Sequence, residues 1–346
     1  MTIVPHRFDH VIGVDTHAKT HTLVVLDSFG TKVKADTFPT SPAGLARAKA
    51  WIDRNTRGRI AVAIEGTGSY GASFTRLLGA SEIVVIESKP PKRVGRRAGK
   101  SDEIDAELAA RHVLTLPDGR AGVPRSGTGD RAALQVLLTG RRARTTERTR
   151  TVNALIALLR THDMGIDARK PVTPAQVAQI ARWRPRPSDQ PWQATIRSEA
   201  TNLARAIESK DHELTANMSG LKKHVTALAP WLLEETGIGP FAAAQLLASW
   251  SNRNRIHSEA AFARLAGVAP IPASSGNTTR HRLHRGGDRH LNHALWVIAF
   301  SRANTDPATR DYIAKRITEG KTRREALRCL KRYIARSTFR KLQTMS

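Results

Sequence analysis

Four acidic residues, Asp15, Glu65, Asp102 and Asp105, stand where carboxylates can gather divalent cations. Asp15 closes the apolar run VIGVD, and Glu65 closes RIAVAIE. Asp102 and Asp105 are three residues apart at the start of a helical pattern, so both project from one face with Cβ atoms ~5–6 Å apart. Two strand-end carboxylates and a helical pair can hold two Mg2+ ions ~3.5–4 Å apart, the spacing used for in-line phosphoryl chemistry. Such a crowd of anions is unfavourable unless cations offset it. Each residue also has a plainer reading: Asp15 and Glu65 can end strands in turns, and Asp102 can be a first-turn anion favoured by the helix dipole. His17 and His21 lie close in sequence to Asp15. Imidazole matches hard Mg2+ poorly, so both are read as local polar residues.

A second chemical candidate lies far along the chain, in GVAPIPASSGNTTRHRLHRGGD from residue 267. Ser274, Ser275 and Gly276 form a flexible corner, followed by Arg280, Arg282, Arg285 and Arg289 among histidines. A serine hydroxyl attacks phosphate poorly unless its proton is removed and the developing charge is stabilised. Guanidinium groups suit the second task through bidentate contacts. Composition alone favours the plainer alternative, a basic loop that contacts nucleic acid without reacting. Two nearby patterns are decoys. Gly237, Gly239 and Ala242 satisfy GxGxxA, but a helical segment precedes them where a dinucleotide site needs a strand. A helix–turn–helix that presents glycine amides to phosphate fits better, beside the bland reading of a tight turn. Gly320-Lys321-Thr322 ends like a phosphate loop, yet Lys315 stands where the earlier glycine is needed.

The elements that must position these groups follow from hydrophobic periodicity. Residues 11–15, 21–27 and 32–38 read as strands, the third weaker, in an antiparallel meander. PAGLARAKAWIDRN (42–55) has helical spacing, with Thr40 or Ser41 as candidate N-cap. A strand at 59–65, a helix near 70–79, a strand at 82–88 and a helix at 101–114 complete the order β-β-β-α-β-α-β-α. That order is the layout of a ribonuclease-H-like fold, a mixed sheet with helices. Residues 89–100 carry six basic residues and no acidic one. Among them Lys92, Arg93, Arg96, Arg97 and Lys100 are candidate nucleic-acid contacts. Helical patterns at 130–162 and 192–228, separated by a Pro-rich linker (171–191), predict an antiparallel coiled coil or assembly arm. The chain divides into residues 1–125, 126–228 and 229–346, the last mostly helical around the serine-bearing island.

The 346 residues include 56 Lys plus Arg against 30 Asp plus Glu, a formal charge of +26. An excess of that size opposes a compact state unless a polyanion compensates it. Nucleic acid is the favoured partner over an anionic membrane surface, because cations that neutralise phosphates release condensed counterions. No stretch approaches the ~20 apolar residues of a spanning helix. MTIVPHRFDH lacks the apolar core of a signal peptide. The single cysteine, Cys329, excludes an internal disulfide framework and a Cys-based zinc site, and it suits a reducing cytoplasm. A cytoplasmic, nucleoid-associated protein is expected.

Taken together the motifs resemble the DEDD-type insertion-sequence transposases, the bridge-RNA-guided serine recombinases sometimes called the IS-one-ten family. GVDTH with Asp15, AIEGTGSY with Glu65, and KSDEIDAELAARHV with Asp102 and Asp105 are similar to the family's RuvC-like carboxylate motifs. GIGPFAAAQLLA and FARLAGVAPIPASSG…GGDRHLNHALWVIA are similar to its C-terminal transposase domain. The resemblance implies that Ser275, directly before Gly276, is a nucleophile that links covalently to DNA and so keeps the phosphodiester energy for rejoining. Ser274 is its neighbour, and alignment to the Ser-Gly step selects Ser275. The resemblance further implies Mg2+ held by Asp15, Glu65, Asp102 and Asp105, and a tetramer in which the two domains of one site come from different protomers. It also implies double-stranded DNA and a structured non-coding guide RNA as partners. Two other readings stand beside it: a RuvC-like junction endonuclease using metal-activated water, and a non-catalytic nucleic-acid-binding protein.

Overall fold

The computed structural model describes residues 8–88, 101–117, 121–125, 127–253, 255–273, 281, 282, 284 and 286–345. In chain order the elements of the amino-terminal part are β1 (His10–Thr16), β2 (Thr20–Asp27), β3 (Lys32–Pro39), α1 (Pro42–Asn55), β4 (Ile60–Ile64), α2 (Ala72–Gly79), β5 (Val84–Glu87) and α3 (Asp102–Leu114). Next come α4 (Gly129–Thr161), α5 (Pro174–Ala181), α6 (Pro191–Leu228), α7 (Trp231–Glu234), α8 (Pro240–Trp250) and α9 (Glu259–Leu265). A short pair, β6 (Ile271–Pro272) and β7 (His281–Arg282), precedes α10 (Arg289–Thr305), α11 (Pro307–Thr318) and α12 (Arg323–Gln343). A mixed sheet with helices, followed by a mostly helical remainder, is the class expected of the sequence. The residues group into two units: Met1–Gly129 with Trp250–Arg289 and Arg328–Ser346, and Asp130–Ser249 with His290–Leu327.

The first unit is built on a sheet of order β3-β2-β1-β4-β5. β1 runs antiparallel to β2 and parallel to β4, with Val14 opposite both Leu23 and Ile64. β5 continues in parallel, pairing Ile64 with Glu87. The central strands are apolar along their length because both sheet faces are covered. Ile12, Val14, Leu23, Val25, Val62 and Ile64 bury one face against Leu45, Trp51 and Ile52 of α1 and Phe74 and Leu78 of α2. Val11, Val24, Leu26, Ala61, Ala63 and Ile86 bury the other against α3. Ser41, rather than Thr40, caps α1, accepting a hydrogen bond from the Gly44 amide, with Pro42 in the first turn.

The helix α3 meets the sheet through a face of small residues, Ala106, Ala109 and Ala110, all buried. Its N-cap, Ser101, accepts from the Ile104 amide. At the point of closest approach the strand residue is Gly13, and a Cβ there would lie 1.8 Å from the Ala106 carbonyl oxygen. The first turn of α3 is thereby held against the end of β1.

Two later pieces of the chain belong to this unit. Glu259, in the first turn of α9, is contacted by Arg332, Arg336 and Arg340, spaced four apart along α12. Phe262 stacks on Phe339 at 5.5 Å between centroids beside them.

In the second unit α4 and α6 run antiparallel. His224 bonds Asp130 at 2.6 Å, Asn217 donates to the Leu137 carbonyl at 3.0 Å, Arg141 donates to the Leu214 carbonyl at 3.1 Å, and Arg144 pairs with Glu213 at 2.9 Å. Arg148 makes a bidentate contact with Asp211. Part of the arginine-dense middle of α4 is therefore engaged by carboxylates of α6. The Pro-rich stretch expected as a linker contains α5, opened by a Thr173–Gln176 capping box with Pro174 at its start. Val177, Ile180 and Ala181 of α5 join Leu155, Leu159, Ala200, Ala204 and Ile207 in one core. Proline reads as a breaker, but at the first helical position its missing N–H costs nothing. Among the described residues, no helix is long and apolar enough to cross a membrane.

Candidate metal centre

Asp15 occupies the carboxyl end of β1, and Glu65 follows β4 directly. Because Val14 and Ile64 are parallel partners, the two carboxylates leave the sheet at the same edge. The Thr16 hydroxyl donates to the Glu65 carbonyl at 2.8 Å and ties the two strand ends together. Gly66 follows at φ +70°, a left-handed position where glycine carries no steric cost. Asp15, Thr16, Glu65, Gly66, Ser69, Tyr70, Glu87 and Ser88 line a cleft of about 420 Å3 at the carboxyl ends of the parallel strands.

The helical pair arrives from the other side. His17 Nε2 lies 3.1 Å from an Asp15 oxygen and 3.4 Å from an Asp102 oxygen, bridging the two acids. One ligand atom from each of Asp15, His17 and Asp102 lies within 4.8 Å of the others. Asp105 is near enough to act on Asp15 electrostatically. Burial raises the Asp15 carboxyl above its usual range; His17 opposes the rise, while Asp102 and Asp105 add to it. A partly buried acid facing two more acids is short of positive charge. A divalent cation bound through carboxylate oxygens supplies that charge, and the donor set fits it.

The structure therefore places Asp15, Asp102 and Asp105 in one electrostatic group and Asp15 with Glu65 on one cleft. Asp102 and Asp105 are not among the residues that line the cleft. His17, read from sequence as a local polar residue, touches both acids. Its i+2 spacing from Asp15, with α3 folded across the strand end, is the signal that links it to the site. His21 is different: it is buried, its pKa is lowered by burial, and its Nδ1 meets the Thr20 carbonyl at 3.0 Å. It belongs to the sheet packing beside Phe74.

Sequence reading passed over Glu87. It ends β5 as Glu65 ends β4, and the same strand-end rule applied to EIVVIES would have found it. Its carboxylate receives a 2.6 Å bond from Arg255, which also donates to the Val123 carbonyl at 3.0 Å. Asn252 donates to the Pro124 carbonyl at 3.1 Å. The segment that leads into the serine-bearing island is thus fastened to the end of β5 and the chain after α3.

Ser274, Ser275, Arg280 and Arg285, and the basic residues Lys92, Arg93, Arg96, Arg97 and Lys100, lie outside the described residues. Arg282 is exposed in β7 and pairs with Ile271 of β6. The glycine turn at 237–239 has a packing role: Gly237 sits at φ +77°, and a Cβ there would meet the Arg302 side chain at 2.9 Å. Arg302 donates to the Thr236 carbonyl at 2.6 Å across the same turn.

Comparison with known proteins agrees with these motifs. Residues 12–163 match a DEDD family model of the IS110 type, described as transposase. Residues 229–314 match the transposase IS116/IS110/IS902 family. The chain is 36% identical over 134 residues to the insertion element IS110 uncharacterized 43.6 kDa protein of Streptomyces coelicolor, covering 38% of this chain and 32% of that protein. It is 29% identical over 146 residues to the insertion element IS900 uncharacterized 42 kDa protein of Mycobacterium paratuberculosis, covering 41% and 37%. The matched stretches span about a third of the length of these curated relatives. With a DEDD model over the sheet and its carboxylates and a second transposase model over the helical carboxyl-terminal part, this chain belongs to the IS110-type family of DEDD transposases.

Proposed function

We propose that this protein is a transposase that cuts and rejoins double-stranded DNA through a covalent serine–DNA link, with Mg2+ held by Asp15, Glu65, Asp102 and Asp105. The observation that carries the reading is the meeting of Asp15 and Asp102, 87 positions apart in sequence, on the two sides of His17. Bound there, Mg2+ would polarise the scissile phosphate and ease loss of the attacking proton.

The chain's own groups do the rest. The Ser275 hydroxyl loses its proton and attacks phosphorus; the new P–O bond forms as the bond to the leaving sugar oxygen breaks, and that oxygen takes up a proton. Attack by a sugar hydroxyl of the partner strand then reverses the exchange and frees the serine, so no external energy source is needed. His17 orients the Asp15 carboxylate through its 3.1 Å bond. Arg280 or Arg282 stabilises the charge on the phosphate, and Arg285 contacts the nucleic acid. Lys92, Arg93, Arg96, Arg97 and Lys100 contact the nucleic-acid backbone.

The same proposal assigns the carboxylates to a domain of residues 1–125, an assembly arm to 126–228 and the serine to 229–346. The working form is a tetramer in the cytoplasm, on nucleoid DNA, directed to its sites by a structured RNA. Its support is the family membership and the +26 charge.

The test is to incubate labelled element-end DNA with protein, co-purified RNA and Mg2+, then run denaturing gels. Wild type should give a denaturant-resistant adduct, and Ser275→Ala and Asp102→Asn none. DNA cleavage at full rate with no adduct would establish the metal-activated-water endonuclease in its place. Sequencing the RNA that co-purifies tests guidance: one structured species supports it, and random cellular RNA removes it.

A further inference from the structure

The second unit carries a row of stacked rings that the carboxylate cleft does not use. On α10, His293, Trp296 and Phe300 follow one another at three- and four-residue spacing, on one exposed face. His293 stacks on Trp296 with centroids 5.9 Å apart and planes 17° apart. Trp296 stacks on Phe300 at 5.1 Å and 19°. Phe241 of α8 meets His293 edge-on at 5.9 Å, and the Arg141 guanidinium lies 5.8 Å from the Phe241 centroid. Trp296 and Phe300 remain 43% and 46% exposed.

Core aromatic residues are buried, and isolated surface ones do not align. Here near-parallel rings stay in solvent, beside an arginine held over the ring at one end, in a chain of charge +26. An anionic partner with flat apolar groups satisfies both features at once. A protein surface offers few parallel rings, whereas unpaired nucleobases offer one per residue and join their π-faces by an anionic backbone. Duplex DNA keeps its base faces stacked internally and cannot use such a row.

We propose that His293, Trp296 and Phe300 form a stacking platform for unpaired nucleotides of a single strand. Arg141 provides positive charge at the platform's Phe241 end.

The experiment uses the full-length chain in EDTA, so metal-dependent chemistry is silent and the fate of the proposed cleavage reaction does not enter. Fluorescence anisotropy is measured with labelled single-stranded RNA, single-stranded DNA, an abasic single strand of the same length, and duplex DNA. Trp296→Ala and Phe300→Ala should each weaken single-strand binding roughly tenfold, as loss of one stacked base does. Trp296→Phe, which keeps a ring, should stay within about threefold of wild type. Duplex and abasic affinities should be the same for wild type and variants. A loss confined to RNA identifies RNA as the strand, and an equal loss on both strands identifies the unpaired base as the shared ligand. Unchanged single-strand affinity in both alanine variants overturns the proposal. So does loss of self-association by ultracentrifugation in Trp296→Ala with strand affinity intact, which assigns the face to a second copy of this chain.

Discussion

Gly13 and Ala106 touch backbone to backbone: a Cβ on Gly13 would stand 1.8 Å from the Ala106 carbonyl oxygen and 2.9 Å from the Ala110 amide. This contact, between a strand and a helix 93 positions later in sequence, sets how close the first turn of α3 comes to Asp15. Gly13→Ala should therefore displace α3. The expected loss is at the upper end of the ~1–3 kcal/mol typical of overpacking, because the obstacle is backbone that cannot rotate away. Urea denaturation reports the loss. Divalent-ion affinity should fall in the same variant, although no carboxylate has been changed.

Burial raises the Asp15 carboxyl above its usual range, and the neighbouring Asp102 and Asp105 add to the rise. In the absence of metal, Asp15→Asn should raise the melting temperature, since it removes a charge the fold disfavours. Mg2+ at about a hundred times its dissociation constant should stabilise wild type by ~2.7 kcal/mol and the variant far less. Thermal scans with and without Mg2+ check both halves. A variant less stable than wild type without metal would show that Asp15 is structural.

Glu87 faces the cleft, yet Arg255 holds its carboxylate. Glu87→Gln should leave Mg2+ affinity within about twofold, unlike Asp15→Asn or Asp102→Asn. Arg255→Ala should destabilise the fold by roughly 3 kcal/mol, because it leaves a little-exposed carboxylate without its main partner. Their side chains are 12% and 17% exposed, which keeps solvent from replacing the contact. Calorimetric titration and denaturation separate the two effects.

Glu259 is held below the usual glutamate range, first by its bond to Arg336 and further by Arg332. A carboxylate with a depressed folded pKa contributes stability that is present above its unfolded value and is lost as pH falls through the folded one. Stability of the wild type should therefore drop from about pH 4.5 downward as this contact is protonated. Glu259→Gln should be weaker at neutral pH and should show a shallower acid limb. Parallel urea curves at neutral and acid pH measure the difference.

The sheet was legible because its central strands are covered on both faces and read as continuous apolar runs with acids at or next to their ends. The order of strands and helices followed from those runs, as did the antiparallel long helices. What sequence did not show was partner choice. Arg144 and Arg148 lie in an arginine-dense stretch whose sequence does not name their partners, and α6 supplies Glu213 and Asp211 to them. His17 read as a bystander because its second acid, Asp102, arrives only when α3 folds over Gly13. Glu87 was missed because β5 is short and its acid sits one residue before a serine. The helix α5 was hidden by prolines, one of which is its first residue. The contacts of His17, Arg144 and Arg148 are long-range and local periodicity does not encode them, whereas Glu87 and α5 were obscured by local features.

The most direct test is to digest the DNA-linked protein and identify the modified peptide by mass spectrometry. The linkage is expected on Ser275, only with divalent metal present and only when Asp15 and Asp102 are intact. A DNA-bearing peptide from elsewhere in the chain, or efficient strand exchange by Ser275→Ala, would contradict it.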